Sequence, residues 1–197
     1  MVHWQGKIPF WIKLFITLFL CVLVPVYWRH YGPTNFLWGS DIALFFICAS
    51  VWLEKPLLNS MMAIGVLPFE LVWIADFFSG SHLLGVTSYM FDGSRALYLR
   101  SLSLYHLMLP PFIIFLLFRL GYDRRALLAQ TLLTWVVLPL CYLVTDPADN
   151  TNFAFGLGNG PQSFMPPLLY LTLEMLLMPT VIFLPAHLLL QRVFRRQ

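Results

Sequence analysis

Charged side chains are scarce in this chain: they make up 11% of its 197 residues, where ordinary globular chains carry about a quarter. The 12 basic and 9 acidic residues leave a net charge of +3, too few cations for a polyanion-binding surface, so no nucleic-acid partner is expected. Cysteine is also rare. Cys21, Cys48 and Cys141 each sit in an apolar run and none belongs to a CxxC pair, which leaves no zinc-ribbon or redox motif. No HxxE, ExxH or HExxH spacing sets two metal ligands on one helix face, and there is no glycine-rich phosphate loop or nucleophile elbow. Neither a metal nor a cofactor is expected. Strict apolar–polar alternation is missing from runs such as LFITLFLCVLV, which argues against a transmembrane barrel. No small-x-small cleavage site follows the first apolar run, where the sequence reads PVYWRHYGP, so that run reads as an uncleaved helix. The two halves show no internal repeat, and an inverted-repeat transporter gains no support.

What is abundant is apolar surface. Hydrophobic residues reach 59% and aromatics 17%, with 18 Phe. A bilayer core about 30 Å thick needs roughly 20 helical residues. Six segments qualify: Ile8–Trp28, Phe36–Leu53, Leu57–Phe78, Ala96–Phe118, Ala126–Thr145 and Phe164–Leu190. The expectation is an all-α polytopic membrane bundle forming one domain over residues 1–197. Lys7, Lys13, Lys55, Arg119, Arg124, Arg125, Arg192, Arg195 and Arg196 fall on one side, against Arg29, Arg95 and Arg100 on the other. The positive-inside rule then puts both termini in the cytoplasm, in a cell or inner membrane, with membrane lipids as partners. The outer connections 79–94 and 146–162 are long and rich in Gly, Asn, Asp and aromatics, which places the mouth of a site on the outer face. The NFAFGLG stretch is expected to dip into the headgroup zone.

An ionisable side chain at membrane depth costs about 2.5–3.5 kcal/mol and asks for a partner or a role. Asp41, Glu70, Asp76, Arg100, His106 and Glu174 all lie within the apolar segments. Spacings of three put Glu70, Trp73 and Asp76 on one helical stripe, and Arg100, Ser103 and His106 on another. Pro110–Pro111 follows His106 and frees backbone carbonyls about one turn earlier, which favours a polar pocket at that depth. A cluster of Asp41, Glu70, Arg100, His106 and Glu174 is sterically compatible with such a bundle. Arg100 could equally pair with Asp41 or Asp76 as a structural ion pair.

Two stretches carry a family resemblance: NFLWGSDIALFF (35–46) and YHLMLPPFIIFLL (105–117). Together with IGVLPFELVWI and the Asn-rich loop before the last segment, they resemble the androgen-induced and androgen-dependent multipass membrane hydrolases. Asp41 matches that family's aspartate and His106 its catalytic histidine. The resemblance implies hydrolysis or acyl transfer on a lipid ester within the bilayer. Trp38 stands where the family has its nucleophilic threonine, and Ser40 lies directly before Asp41. Two readings follow. One is a membrane-embedded enzyme acting on a lipid or other apolar small molecule, with His106, Ser40 and Asp41 catalytic and Ser103 as the alternative nucleophile. In it Glu70, Ser103, Arg100, Glu174, Asn150 and Asn152 form a substrate-binding polar cluster. The other is a non-catalytic carrier, binding protein or membrane-complex subunit.

Overall fold

A computed structural model describes residues 7–158 and 160–194; Arg195 and Arg196 of the basic count lie outside them. Among the described residues the chain is all-helical. Four helices are long and apolar enough to cross a membrane, or five if one bent pair counts as a span. The elements are α1 (Phe10–Tyr31), α2 (Gly39–Leu53), α3 (Pro56–Gly65), α4 (Leu67–Phe78), α5 (Ser88–Phe91), α6 (Leu97–Ser103), α7 (Tyr105–Leu120), α8 (Ala126–Val144), α9 (Pro167–Leu177) and α10 (Leu184–Val193). Short 3-10 turns at Pro33–Leu37 and Thr151–Phe153 and a π-helical segment at Met178–Phe183 complete the order.

The expected second segment is the short one. Its helix, α2, has 15 residues, a rise of about 22 Å. The expected third segment is two helices, α3 and α4, bent by 49°. Pro68 explains the break, because it lacks the N–H that would bond back to Ile64 and its ring crowds that carbonyl. The fourth segment passes from α6 to α7 through a tighter turn at Leu104. In the last, Pro179 and Pro185 interrupt the ordinary ladder, and the chain widens into the π-helical segment between α9 and α10.

The helix ends are set by backbone chemistry. Gly32 (φ 77°) and Gly121 (φ 81°) stop α1 and α7 in a conformation that costs glycine little. Pro56 and Pro167 open α3 and α9, where a missing donor is harmless.

Contacts between segment ends show how the chain runs. Lys13 donates to Glu54 at 2.7 Å, so the start of α1 meets the end of α2. At that same end the Asp123 amide donates to Ser60 and Tyr122 bonds His187 at 2.6 Å. The opposite end gathers the His30–Tyr98 bond at 2.7 Å and the long connections 79–94 and 146–162. Leu23, Ile47, Met62, Ile64, Ile113 and Leu116 are sealed in the core. Large apolar side chains such as Trp11, Val136 and Leu143 remain exposed on the outside, the pattern of helices that face lipid. Hydroxyls on the outward faces return to their own helix, as Thr131 to Leu127 O and Thr172 to Leu168 O.

Candidate functional site

The two helix breaks bring a polar centre into the bundle. The α3–α4 bend starts a fresh helix whose first turn carries Glu70, and the α6–α7 break starts another whose first residues are Tyr105 and His106. Glu70 Oε2 and His106 Nδ1 are 2.9 Å apart and both side chains are buried. The His106 ring is stacked between two aromatic rings, with centroids 4.4 Å from Trp73 and 4.2 Å from Tyr105. Trp73 stands one turn after Glu70 on α4, so one helical stripe supplies both the carboxylate and one face of the sandwich. The stack continues through Phe77 to Phe91 of α5, forming an aromatic column from His106 to the outer connection.

Asp41, in the first turn of α2, lies 3% exposed on the other side of Tyr105. Its carboxylate accepts from Asn35 Nδ2 at 3.0 Å and from the Tyr105 hydroxyl at 3.4 Å. Ser40, the residue before Asp41, lies near the Tyr105 hydroxyl. Ser103 bonds the Tyr27 hydroxyl at 2.7 Å and donates to its own Leu99 carbonyl at 3.2 Å. Tyr89, in the outer connection, faces Trp73 and Ser103, and burial pushes its phenol well above its ordinary value, so it stays a neutral donor. His106 Nδ1 faces Glu70, and its Nε2 edge makes no hydrogen bond among the described residues; in the tautomer that carries its proton on Nδ1, Nε2 is the acceptor.

Asp41, Glu70, Ser103 and His106 thus gather around the Tyr105 and Trp73 rings, whereas the other named residues go elsewhere. Arg100 does not pair with Asp41 or Asp76; its guanidinium donates to Met90 O at 3.2 Å. The reason is that the α6–α7 break interrupts the stripe joining Arg100 to His106, and that Asp76 is already saturated. Asp76 accepts from the Leu83, Leu84, Gly85 and Thr87 amides and from the Ser81 and Thr87 hydroxyls.

Asn150 closes its own loop, donating to the Gly156 and Gly158 carbonyls and accepting from Phe155 N. Asn152 ties the outer loop to the start of α2, donating to Leu37 O at 2.6 Å and accepting from Gly39 N at 2.8 Å. The NFAFGLG stretch is divided, with Leu157 exposed and its middle turned inward. Ala154 and Phe155 are buried, with Phe155 stacked on Tyr142, because Asn150 and Asn152 satisfy the loop's polar backbone inside the fold. The geometry is held at a cost, with Asn150, Asn152 and the bulky Phe153 all at positive φ. Trp38 packs edge-on against Phe153, so the position where the resembled family has its nucleophile serves here in packing. Glu174 lies apart, beside Cys141 and Tyr170.

Sequence reasoning missed Tyr27, Asn35, Tyr89 and Tyr105. None of them is ionised or out of place in an apolar, aromatic-rich stretch, so only the fold distinguishes them. Among the described residues no three His, Cys, Asp or Glu side chains come together as a metal site. No family model, curated protein or solved structure matches this chain.

Proposed function

We propose that this chain is a multipass integral membrane enzyme that hydrolyses, or transfers the acyl group of, a lipid or other apolar ester at His106. The observation that carries the reading is the Glu70–His106 bond clamped between Trp73 and Tyr105. A histidine with one nitrogen fixed by a carboxylate and the other left as an acceptor is the arrangement of a general base. Glu70 is a positioning residue, holding the tautomer and the ring plane. Ser40 is the nucleophile, because Ser103 is committed to Tyr27 and Leu99. In the reaction, His106 Nε2 takes the Ser40 hydroxyl proton as the oxygen attacks the ester carbonyl. The imidazolium then returns the proton to the departing alcohol, and water repeats the cycle to free the acid. The Tyr105 hydroxyl, which donates to Asp41 at 3.4 Å and lies near Ser40, orients the serine oxygen. The substrate enters sideways from lipid, where exposed Phe78 and Phe91 flank the outer end of the aromatic column. The resemblance of residues 35–46 and 105–117 to the androgen-induced membrane hydrolases supports the same chemistry.

In this reading the chain crosses an inner or cell membrane six times with both termini in the cytoplasm. The Lys13–Glu54 bond at one end and the Trp28–Phe36 ring contact at the other support counting α2 with its preceding 3-10 turn as a crossing as deep as α1. The test is a fluorophosphonate bearing a long alkyl chain, added to membranes containing the full chain. The probe is expected on Ser40, with labelling lost in H106A and in S40A. Labelling that persists in H106A would refute His106 as the base, and a wild-type chain that takes no label would refute the ester-cleaving reading and favour the carrier.

A further inference from the structure

The strongest feature outside the His106 centre is Glu174. It is 8% exposed, and both of its carboxyl oxygens are sealed from the surface without a hydrogen-bond partner. The hydroxyl of Tyr170, one turn earlier on α9, is orphaned in the same way. Two unmet polar side chains on one face of one helix are costly and call for an explanation. The titratable group facing Glu174 from α8 is Cys141, and from its own helix Tyr170. The π-helical segment packed below, Met178–Phe183, brings no titratable side chain. No ion pair reaches Glu174 among the described residues, and no cation acts on it electrostatically.

The α8 face that continues from Cys141 is polar at one-turn to two-turn intervals, through Thr134 to Gln130, and Gln130 Oε1 is a further orphaned acceptor. Directly after α9 the helix is π-wound, a geometry that recurs at functional positions in helices. An isolated carboxylate in an apolar interior is among the least tolerable states of a side chain, whereas the neutral acid is tolerated.

We propose that Glu174 is a second functional centre, separate from His106, whose ligand is a single exchangeable proton. The neutral acid is the resting state of the closed bundle. The unmet oxygens of Tyr170 and Gln130 mark the polar line along α8 and α9 by which the proton reaches water. The site does not depend on the ester chemistry assigned to His106, and H106A leaves it intact.

The experiment is infrared spectroscopy of the full chain in liposomes at neutral pH, recorded for wild type and E174Q. The wild-type minus E174Q difference is expected to show the C=O stretch of one protonated carboxyl, and that band is expected to shift on transfer to D2O. A carboxylate band in its place would overturn the proposal. So would a protonated band that fails to shift after prolonged D2O exposure, because the proton would then be fixed. Loss of the band on adding Na+ at constant pH would overturn it in favour of a cation site. Because E174Q keeps side-chain volume, its circular dichroism is expected to match wild type. A hydrophobic carbodiimide, which adds to protonated carboxyls in apolar surroundings, gives a second readout on folded protein. Its adduct is expected at Glu174 in wild type and in H106A alike. Finding adducts on other acids with none at Glu174 would count against the proposal.

Discussion

Asp76 gathers residues 81–87 of the connection 79–94 around one carboxylate, which makes Asp76→Ala the most telling single perturbation of the fold. The carboxylate accepts from four backbone amides over residues 83–87 and two hydroxyls, at distances from 2.7 to 3.3 Å. Hydrogen bonds to a charged group contribute about 1.5–3 kcal/mol each, but such values do not add across a network. Counting only the two from Thr87, which is fully buried, gives a local cost of about 3–6 kcal/mol. A factor of ten corresponds to about 1.4 kcal/mol, so the Leu84 and Thr87 amides are expected to exchange hydrogen on the order of a hundredfold faster or more. The measurement is hydrogen exchange read by mass spectrometry in detergent micelles, with peptides from α3 and α8 as internal controls. D76N tests the same point with shape preserved. Its amide can offer one acceptor oxygen but presents donors to the remaining amides, so it is expected to recover only part of the protection. Unchanged exchange at residues 83–87 in D76A would refute the idea that this one side chain folds the connection. It would also remove the basis for Tyr89 and Met90 being held against the site.

Three further outcomes follow from the packing. A Cβ at Gly65 would collide with the buried Gln130 side chain, so G65A is expected to destabilise by about 1–2 kcal/mol through overpacking. In a Q130A background the same change should stabilise by about 0.5–1 kcal/mol, the usual gain for alanine in a helix, and thermal melts of the four proteins read the sign change. The Lys13 hydrogen bond holds the Glu54 carboxyl below its ordinary value, so the stability it contributes is complete above the free glutamate value, about pH 4.3. That contribution fades as pH falls through Glu54's own lower value, and a pH series of denaturation midpoints should lose this component in E54Q. Single cysteines placed at Arg119 and Ser94, in a background without Cys21, Cys48 and Cys141, should react with an impermeant maleimide from opposite faces of sealed vesicles. Reaction of both from the same face would contradict the six-crossing topology.

The sequence spoke clearly wherever physics acts locally. Scarce charge and long apolar runs announce helices in lipid, and Pro110–Pro111 announces a polar pocket at the depth of His106, whereas the break at Pro68 went unread because residues 57–78 read as one long apolar segment. Glu70 and His106 could be singled out because an ionisable group in an apolar run is expensive wherever the chain takes it. Their partnership could not be read, because it depends on the 49° bend between α3 and α4, and a proline foretells a break without its angle. Arg100 shows the opposite failure. Helical spacing joined it to His106, but the turn at Leu104 rotates the two apart and Arg100 finds a backbone carbonyl instead. Tyr27 and Tyr105 stand in apolar stretches where a tyrosine needs no special explanation, and only the packing of the helices turns their hydroxyls toward Ser103 and Asp41. The outer loop was recognisable as unusual from its Asn and Gly content. Its inward fold was not, because it depends on Asn152 reaching Leu37 and Gly39 across more than a hundred residues of chain.

The central claim is that His106, oriented by Glu70, is the acid–base group of an ester-cleaving site, and the most direct test is steady-state kinetics. The purified chain in liposomes would be assayed on a fluorogenic long-chain ester, comparing wild type with H106N. A positioned general base contributes typically 10²–10⁴-fold, so H106N is expected to lose at least a hundredfold in kcat with KM little changed. Wild-type turnover in H106N, or no turnover by the wild-type chain on any long-chain ester, would contradict the account.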